Sequence, residues 1–107
     1  MRVALLPVGY ADGLRRELSG LSHELRGEVL IGGKRARIVG RVSMDVTSVD
    51  VSAIPDATVG DEVVILGDQG SERITAEDHA RIAGTIAYEI LCGISARVPR
   101  LYSGGSE

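Results

Sequence analysis

Four places in this sequence carry side chains whose type and setting suit chemistry: Tyr10, Arg41, the pair Met44-Asp45, and Tyr88. Tyr10 stands between glycines in Gly9-Tyr10-Ala11-Asp12-Gly13, directly after an apolar run. The chain has no phenylalanine, no tryptophan and three tyrosines, so its core must be built from Val, Ile, Leu and Ala. An aromatic placed between glycines at a strand end packs poorly, yet it suits a phenol that has to be presented from a fixed backbone. The other reading is a turn tyrosine that half-covers the strand end, and local pattern leaves both open. The remaining residues have plain readings too. Arg41 fits a surface arginine on a strand, Met44 a gap filler, Asp45 a turn former, and Tyr88 packing on a helix–sheet seam.

Other chemistries are excluded by spacing. Gly32-Gly33-Lys34 is followed by Arg35, and Glu28 occupies the position where a P-loop needs glycine. No glycine fingerprint for a dinucleotide follows a strand and opens a helix. His23 and His79 have no ligand-like spacing and read as solvent-exposed. Ser43 lacks the Gly-x-Ser-x-Gly elbow of a serine hydrolase. Cys92 is the single cysteine, which rules out an intrachain disulfide and a cysteine-rich metal site. On a short apolar helix it reads as a small buried hydrophobe. Net charge is −3, from twelve basic and fifteen acidic residues, and Lys34 is the one lysine. Scattered arginines in an acidic chain argue against nucleic acid. No apolar run approaches the roughly 20 residues of a membrane span, and residues 2–8 are too short an apolar run to predict a signal peptide. These features, with the lone cysteine, fit a cytoplasmic protein. The chain enters a strand-like segment almost at once, as expected of a domain cut from a longer protein.

The elements that must position these residues follow from periodicity. A chain of 107 residues predicts one domain with a modest core. Residues 2–8 read as a short strand ending at Pro7 and Gly9, and Asp12-Gly13 as a turn. Residues 14–27 hold no period and read as a long loop. Runs 28–31 and 34–42 flank Gly32-Gly33 and predict a tight hairpin, with Ala36 and Ile38 on one face and Arg35, Arg37, Val39 and Arg41 on the other. Alternation over 45–51 puts Thr47, Val49 and Val51 on one side. Residues 52–60 read as a loop, and 61–66 as a strong strand stopped by Gly67-Asp68-Gln69-Gly70. The period then changes. Thr75 predicts a helix N-cap with carboxylates in the first turn, and Gly84 its stop. A second short helix spans 86–92, capped by Thr85 and closed by Gly93. Residues 96–102 read as a final extended segment, with Pro99 at an edge or a strand end, and 103–107 as a flexible tail. The expected fold is mainly β: a small β-barrel or sandwich of five to eight strands, with a short helical pair inserted before the last strand.

Taken in order, the marked stretches resemble one family. Gly9-Tyr10-Ala11-Asp12-Gly13 with Arg16, Gly40-Arg41-Val42-Ser43-Met44-Asp45-Val46, Val59-Gly60-Asp61-Glu62-Val63-Val64, Thr85-Ile86-Ala87-Tyr88-Glu89-Ile90-Leu91-Cys92 and Arg97-Val98-Pro99-Arg100 are similar to the C-terminal domain of alanine racemases. The likeness spans residues 2–102. Ser43 stands where a cysteine is common, and Leu14-Arg15 where an aromatic-proline pair is common.

The resemblance implies a domain over 1–102 from a fold-type III pyridoxal 5'-phosphate enzyme that interconverts L- and D-alanine and supplies D-alanine for bacterial peptidoglycan. It implies an N-terminal barrel in the same protein, carrying the lysine to which the cofactor is attached, and a head-to-tail homodimer. Lys34, in a hairpin, is not that lysine, so the 107 residues alone are expected to be inactive. In such enzymes two bases flank the α-carbon of alanine, and Tyr10 matches the tyrosine that serves one face. A phenol is a weak base at neutral pH, so it must sit close to the proton with its anion favoured by positive charge or hydrogen bonds. Met44 matches the residue whose backbone N–H meets the substrate carboxylate. Tyr88 matches the tyrosine that reaches the cofactor phosphate. Arg41 and Ile86 resemble residues lining the narrow way into the site, with Asp45 beside it. A stand-alone β-barrel binding module that kept the sequence but not the reaction is the alternative reading.

Overall fold

Alternation along the chain sets the sheet. The computed structural model describes residues 1–19, 27–85, 87–95 and 98, with the side chains of 88 and 89 outside that set. Strands β1 (Val3–Leu6), β2 (Glu28–Ile31), β3 (Lys34–Val39), β4 (Thr47–Asp50) and β5 (Val63–Val64) form one curled antiparallel sheet in the order β1-β4-β3-β2-β5. The β2–β3 hairpin turns at Gly32 and Gly33, with φ of +62° and +76°. Two positive φ values in a two-residue turn match the right-handed twist of the flanking strands, and glycine adopts them without steric cost. The register pairs Val29 with Ala36 and Ile31 with Lys34. The predicted faces are the observed ones. Ala36 and Ile38 are buried while Arg35 and Arg37 are exposed, and Thr47, Val49 and Val51 are buried on β4 and its end. Burial of these aliphatic side chains on the concave face supplies the main driving force for closing the sheet.

The segment after β1 contributes to the core as well. Two short 3-10 turns, Tyr10–Asp12 and Arg16–Leu18, set Leu14 and Leu18 among the buried residues packed with Leu6, Val29, Ile38 and Val49. The first part of the predicted 14–27 loop is therefore anchored. Residues 20–26, including His23, lie outside the described residues.

Strand prediction was too long at 61–66 and missed a hairpin after it. Only Val63–Val64 pairs with β2, opposite Ile31 and Leu30. Gly67, at φ +130°, redirects the chain. Gly67–Gln69 becomes strand β6 and pairs with β7 (Glu72–Ile74) in a two-stranded sheet. This polar ribbon is held to the main hairpin from outside. Arg35 donates from Nε to Glu72 at 2.8 Å, from Nη1 to Glu28 at 3.0 Å and from Nη2 to the Arg73 carbonyl at 2.7 Å. Gln69 Oε1 accepts the Gly33 N–H at 2.9 Å.

Helix α1 (Ala76–Ala83) opens on a reciprocal cap: the Asp78 N–H donates to Thr75 Oγ1 at 3.1 Å and the Thr75 N–H to Asp78 Oδ2 at 2.8 Å. Those bonds hold the Asp78 carboxyl below the usual carboxylate range. Gly84 ends the helix at φ +72°. Helix α2 (Ala87–Cys92) follows. Two expectations about this region are corrected. His79 is buried, because it faces inward and its Nε2 lies 3.0 Å from the Ile65 carbonyl. Cys92 is exposed, because the buried face of α2 runs through Ile90 instead. The predicted extended segment 96–102, apart from Val98, and the tail 103–107 lie outside the described residues. Among the described residues, no helix is long and apolar enough to cross a membrane.

Candidate functional site

Strand β1 leads straight into the site, and β4 holds its exit. Leu6 pairs with Thr47 at the end of the β1–β4 ladder. Thr47 is fully buried, and its hydroxyl donates to the Val8 carbonyl at 2.6 Å. The chain then passes Gly9 hard against the segment that precedes β4. A Cβ on Gly9 would lie 2.1 Å from the Ser43 carbonyl oxygen and 2.5 Å from the Met44 carbonyl carbon. This closeness permits two backbone bonds: the Tyr10 N–H donates to Ser43 O at 2.9 Å and the Ala11 N–H to Met44 O at 3.1 Å. The Asp12 carboxylate closes the turn by accepting the Gly9 N–H at 3.0 Å. On the far side Gly13, at φ +111°, leaves no room for a side chain. A Cβ there would meet Gly93 O and Ile94 Cα at 2.7 Å. Both flanking glycines are thus required by backbone neighbours, one from the β4 side and one from the end of α2. Tyr10 is carried on a backbone clasped from two directions.

The clasped turn forms one wall of an open cleft of about 840 Å³, lined by Tyr10, Arg15, Arg16, Arg41 and Met44 among others. Tyr10 is 45% exposed, and among the described residues none hydrogen-bonds to its hydroxyl. The Arg16 guanidinium sits 5.5 Å from the centre of its ring, within the range of a cation–π contact. Met44 is exposed, its carbonyl is engaged by Ala11, and no acceptor among the described residues takes its N–H. Three arginines against the single carboxylate of Glu17 give this wall a positive balance. Such a wall can bind a small anion, offer a backbone N–H to a carboxylate, and give or take a proton at the phenol oxygen.

Of the residues singled out in the sequence, the structure brings Tyr10, Arg41 and Met44 together in the cleft. Asp45 is exposed next to Met44 and does not line the cleft. Ile86 lies outside the described residues, as does the side chain of Tyr88. The backbone of Tyr88 belongs to α2, whose following residue Gly93 abuts Gly13 and reaches the cleft. Lys34 is exposed at the β2–β3 turn and is not part of the cleft. The residues present therefore fit one wall of an anion-binding site, not the attachment point of a carbonyl cofactor. Among the described residues no cluster of three or more His, Cys, Asp or Glu side chains could hold a metal. Sequence reading missed Ser19 and Thr47. The available signal for Thr47 was a hydroxyl on the buried face of an alternating strand. Ser19 gave none.

Comparison with known proteins places the chain in a family. A family model described as alanine racemase, C-terminal domain, matches residues 1–102. The alanine racemase of Halothermothrix orenii is 55% identical over 101 residues, covering 94% of this chain and 25% of the relative. Alanine racemase 2 of Caldanaerobacter subterraneus subsp. tengcongensis is 54% identical over 101 residues, with the same coverage of 94% and 25%. The crystal structure of alanine racemase from D-cycloserine producing Streptomyces lavendulae superposes with a TM-score of 0.84 at 51% identity, over 97% of this chain and 26% of that one. The Bacillus anthracis alanine racemase with bound L-Ala-P superposes with a TM-score of 0.83 at 42% identity, over 97% of this chain and 25% of that one. The chain spans about a quarter of the length of these relatives. With 102 of its 107 residues matched by the family model, it belongs to the alanine racemase C-terminal domain family.

Proposed function

We propose that this domain supplies one wall of the active site of a pyridoxal-phosphate-dependent alanine racemase, an isomerase of L- and D-alanine. Tyr10 is the base on one face of the substrate α-carbon. The Met44 N–H receives the substrate carboxylate, Tyr88 reaches the cofactor phosphate, and Arg41 and Ile86, with Asp45 beside them, border the way in. The opposing base and the cofactor's attachment belong to an N-terminal barrel, and the domain meets it across a head-to-tail homodimer. When bound, pyridoxal phosphate supplies the electron sink that makes the α-proton removable. This chain's own residues do the rest of its share. The phenol moves a proton at Oη, the N–H orients the carboxylate, and the arginines attract the anionic substrate and cofactor groups.

The observation that carries this reading is the clasp at Gly9 and Gly13, which fixes an exposed phenol beside the exposed Met44. A tyrosine that merely fills a turn needs no such restraint on both sides. The test is Tyr10→Phe in a full-length enzyme carrying this domain. Racemisation is expected to fall by roughly 10²–10⁴. In D2O, exchange of the α-proton should be lost from one enantiomer and survive from the other. Equal loss from both enantiomers, or no loss, overturns the assignment. The 107 residues alone are expected not to racemise alanine, since their single lysine lies at the hairpin turn.

A further inference from the structure

Ser19 joins the two walls of the cleft through one hydroxyl. Its O–H donates to the Arg16 carbonyl at 2.6 Å, and its oxygen accepts the Val42 N–H at 2.8 Å. Arg16 carries the guanidinium that lies over the Tyr10 ring. Val42 opens the segment whose next two carbonyls, from Ser43 and Met44, hold the Tyr10 and Ala11 backbones. Among the described residues no other side chain hydrogen-bonds to the backbone of 41–44. Ser19 is itself anchored. The neighbouring Leu18 is buried in the core, and its carbonyl accepts the Gly27 N–H at 2.9 Å.

We propose that Ser19 is a positioning residue for the reaction, setting the separation between the Arg16–Tyr10 wall and the Met44 N–H. The proposal rests on the reading of Met44 as the carboxylate donor. The mechanism is a lever of two residues. The Val42 N–H needs an acceptor, and Ser19 provides it from a turn fixed in the core. Without that acceptor the 42–44 segment keeps the packing of the buried Val42, its bonds to the Tyr10 turn and the Ser43 N–H to Val46 O bond at 3.0 Å, but loses its tie to the Arg16 turn. The Met44 N–H then drifts relative to a carboxylate that the rest of the site holds in place. A hydrogen bond to a charged group weakens steeply with misalignment. Binding of the carboxylate should therefore suffer more than the chemical step.

The experiment compares Ser19→Ala and Ser19→Thr in a full-length enzyme carrying this domain. Four quantities are read: KM and kcat for alanine, the inhibition constant of propionate as a substrate analogue lacking the amine, and hydrogen exchange at the Val42 amide. Ser19→Ala is expected to raise KM and the propionate constant together by roughly five- to tenfold, with kcat changed less than twofold and Val42 exchange accelerated. Ser19→Thr keeps the hydroxyl and should restore KM, the propionate constant and the Val42 exchange rate. Ser19→Cys, which weakens both bonds at nearly constant volume, reads the same quantities if the alanine variant does not fold. Faster Val42 exchange with unchanged KM and propionate binding overturns the positioning role, as does a loss confined to stability or kcat. Failure of the racemase reading is recognised separately, by Tyr10→Phe leaving exchange from both enantiomers intact.

Discussion

Gly9 and Ser43 are in backbone contact so close that even a methyl group on Gly9 would sit 2.1 Å from the Ser43 carbonyl oxygen. The obstacle is main chain on both sides, so no side-chain rotation relieves it. Gly9→Ala must push the Tyr10 turn off the 43–44 segment and break the Tyr10 N–H to Ser43 O bond. Overpacking of this kind typically costs about 1–3 kcal/mol. Urea unfolding of the variant should show a loss in that range, with an unchanged slope against denaturant. A variant as stable as the parent would mean that the clasp does not fix Tyr10.

Thr47 offers a test of the other restraint. Its hydroxyl is buried and donates to the Val8 carbonyl, one residue before Gly9. Thr47→Val preserves the shape and removes the donor, which leaves that carbonyl without this partner. The expected loss is about 1–3 kcal/mol. Thr47→Ser keeps the donor and gives up a methyl group, so it isolates the packing contribution. Should valine prove no worse than serine in thermal unfolding, the hydrogen bond is not what holds the β1 exit.

Much of the fold was legible because its signals are local. Gly32-Gly33 between two β-rich runs names its own turn, and the observed positive φ at both positions is the reason such pairs are used. Thr75 and Gly84 bound α1 through bonds made within four residues. The β6–β7 ribbon was not legible, because Gly67-Asp68-Gln69 has no strand-forming residues. It stands through Arg35 and Gly33, whose bonds to it span 36 to 38 positions in the chain. His79 looked like a surface residue because its partner, the Ile65 carbonyl, is a tertiary neighbour that no helix periodicity announces.

The site was legible in a different way. Local pattern left Tyr10 open between filler and presented phenol, and only the ordered set of motifs linked it to Arg41 and Met44. What brings them together physically is the β1–β4 pairing, which joins residues more than 40 positions apart. The Val42 N–H to Ser19 and the Thr47 hydroxyl to the Val8 carbonyl join segments 23 and 39 positions apart, so neither bond is announced by local pattern.

The buried histidine makes a pH prediction whose sign is fixed by burial. With a carbonyl as partner, His79 Nε2 carries the proton of the neutral ring. Burial pushes its pKa below the ordinary value of 6.5, against the opposing pull of the Ile65 carbonyl and of Asp78. The cavity on its inner side is apolar apart from Asp12 and Glu62. The unfolded chain therefore takes up a proton near the ordinary value while the folded chain resists it. Stability is complete above that value and falls as pH drops through the window between 6.5 and the lowered folded value. Loss from Asp50 and Asp78, whose pKa values are also lowered, begins only in the carboxylate range below it. His79→Gln keeps an N–H donor for Ile65 and cannot titrate, so its urea midpoint should stay level from pH 7 to pH 5 while that of the parent falls. His23 is common to both proteins and cancels in the comparison. If the two profiles run parallel, His79 is not the group that couples folding to pH.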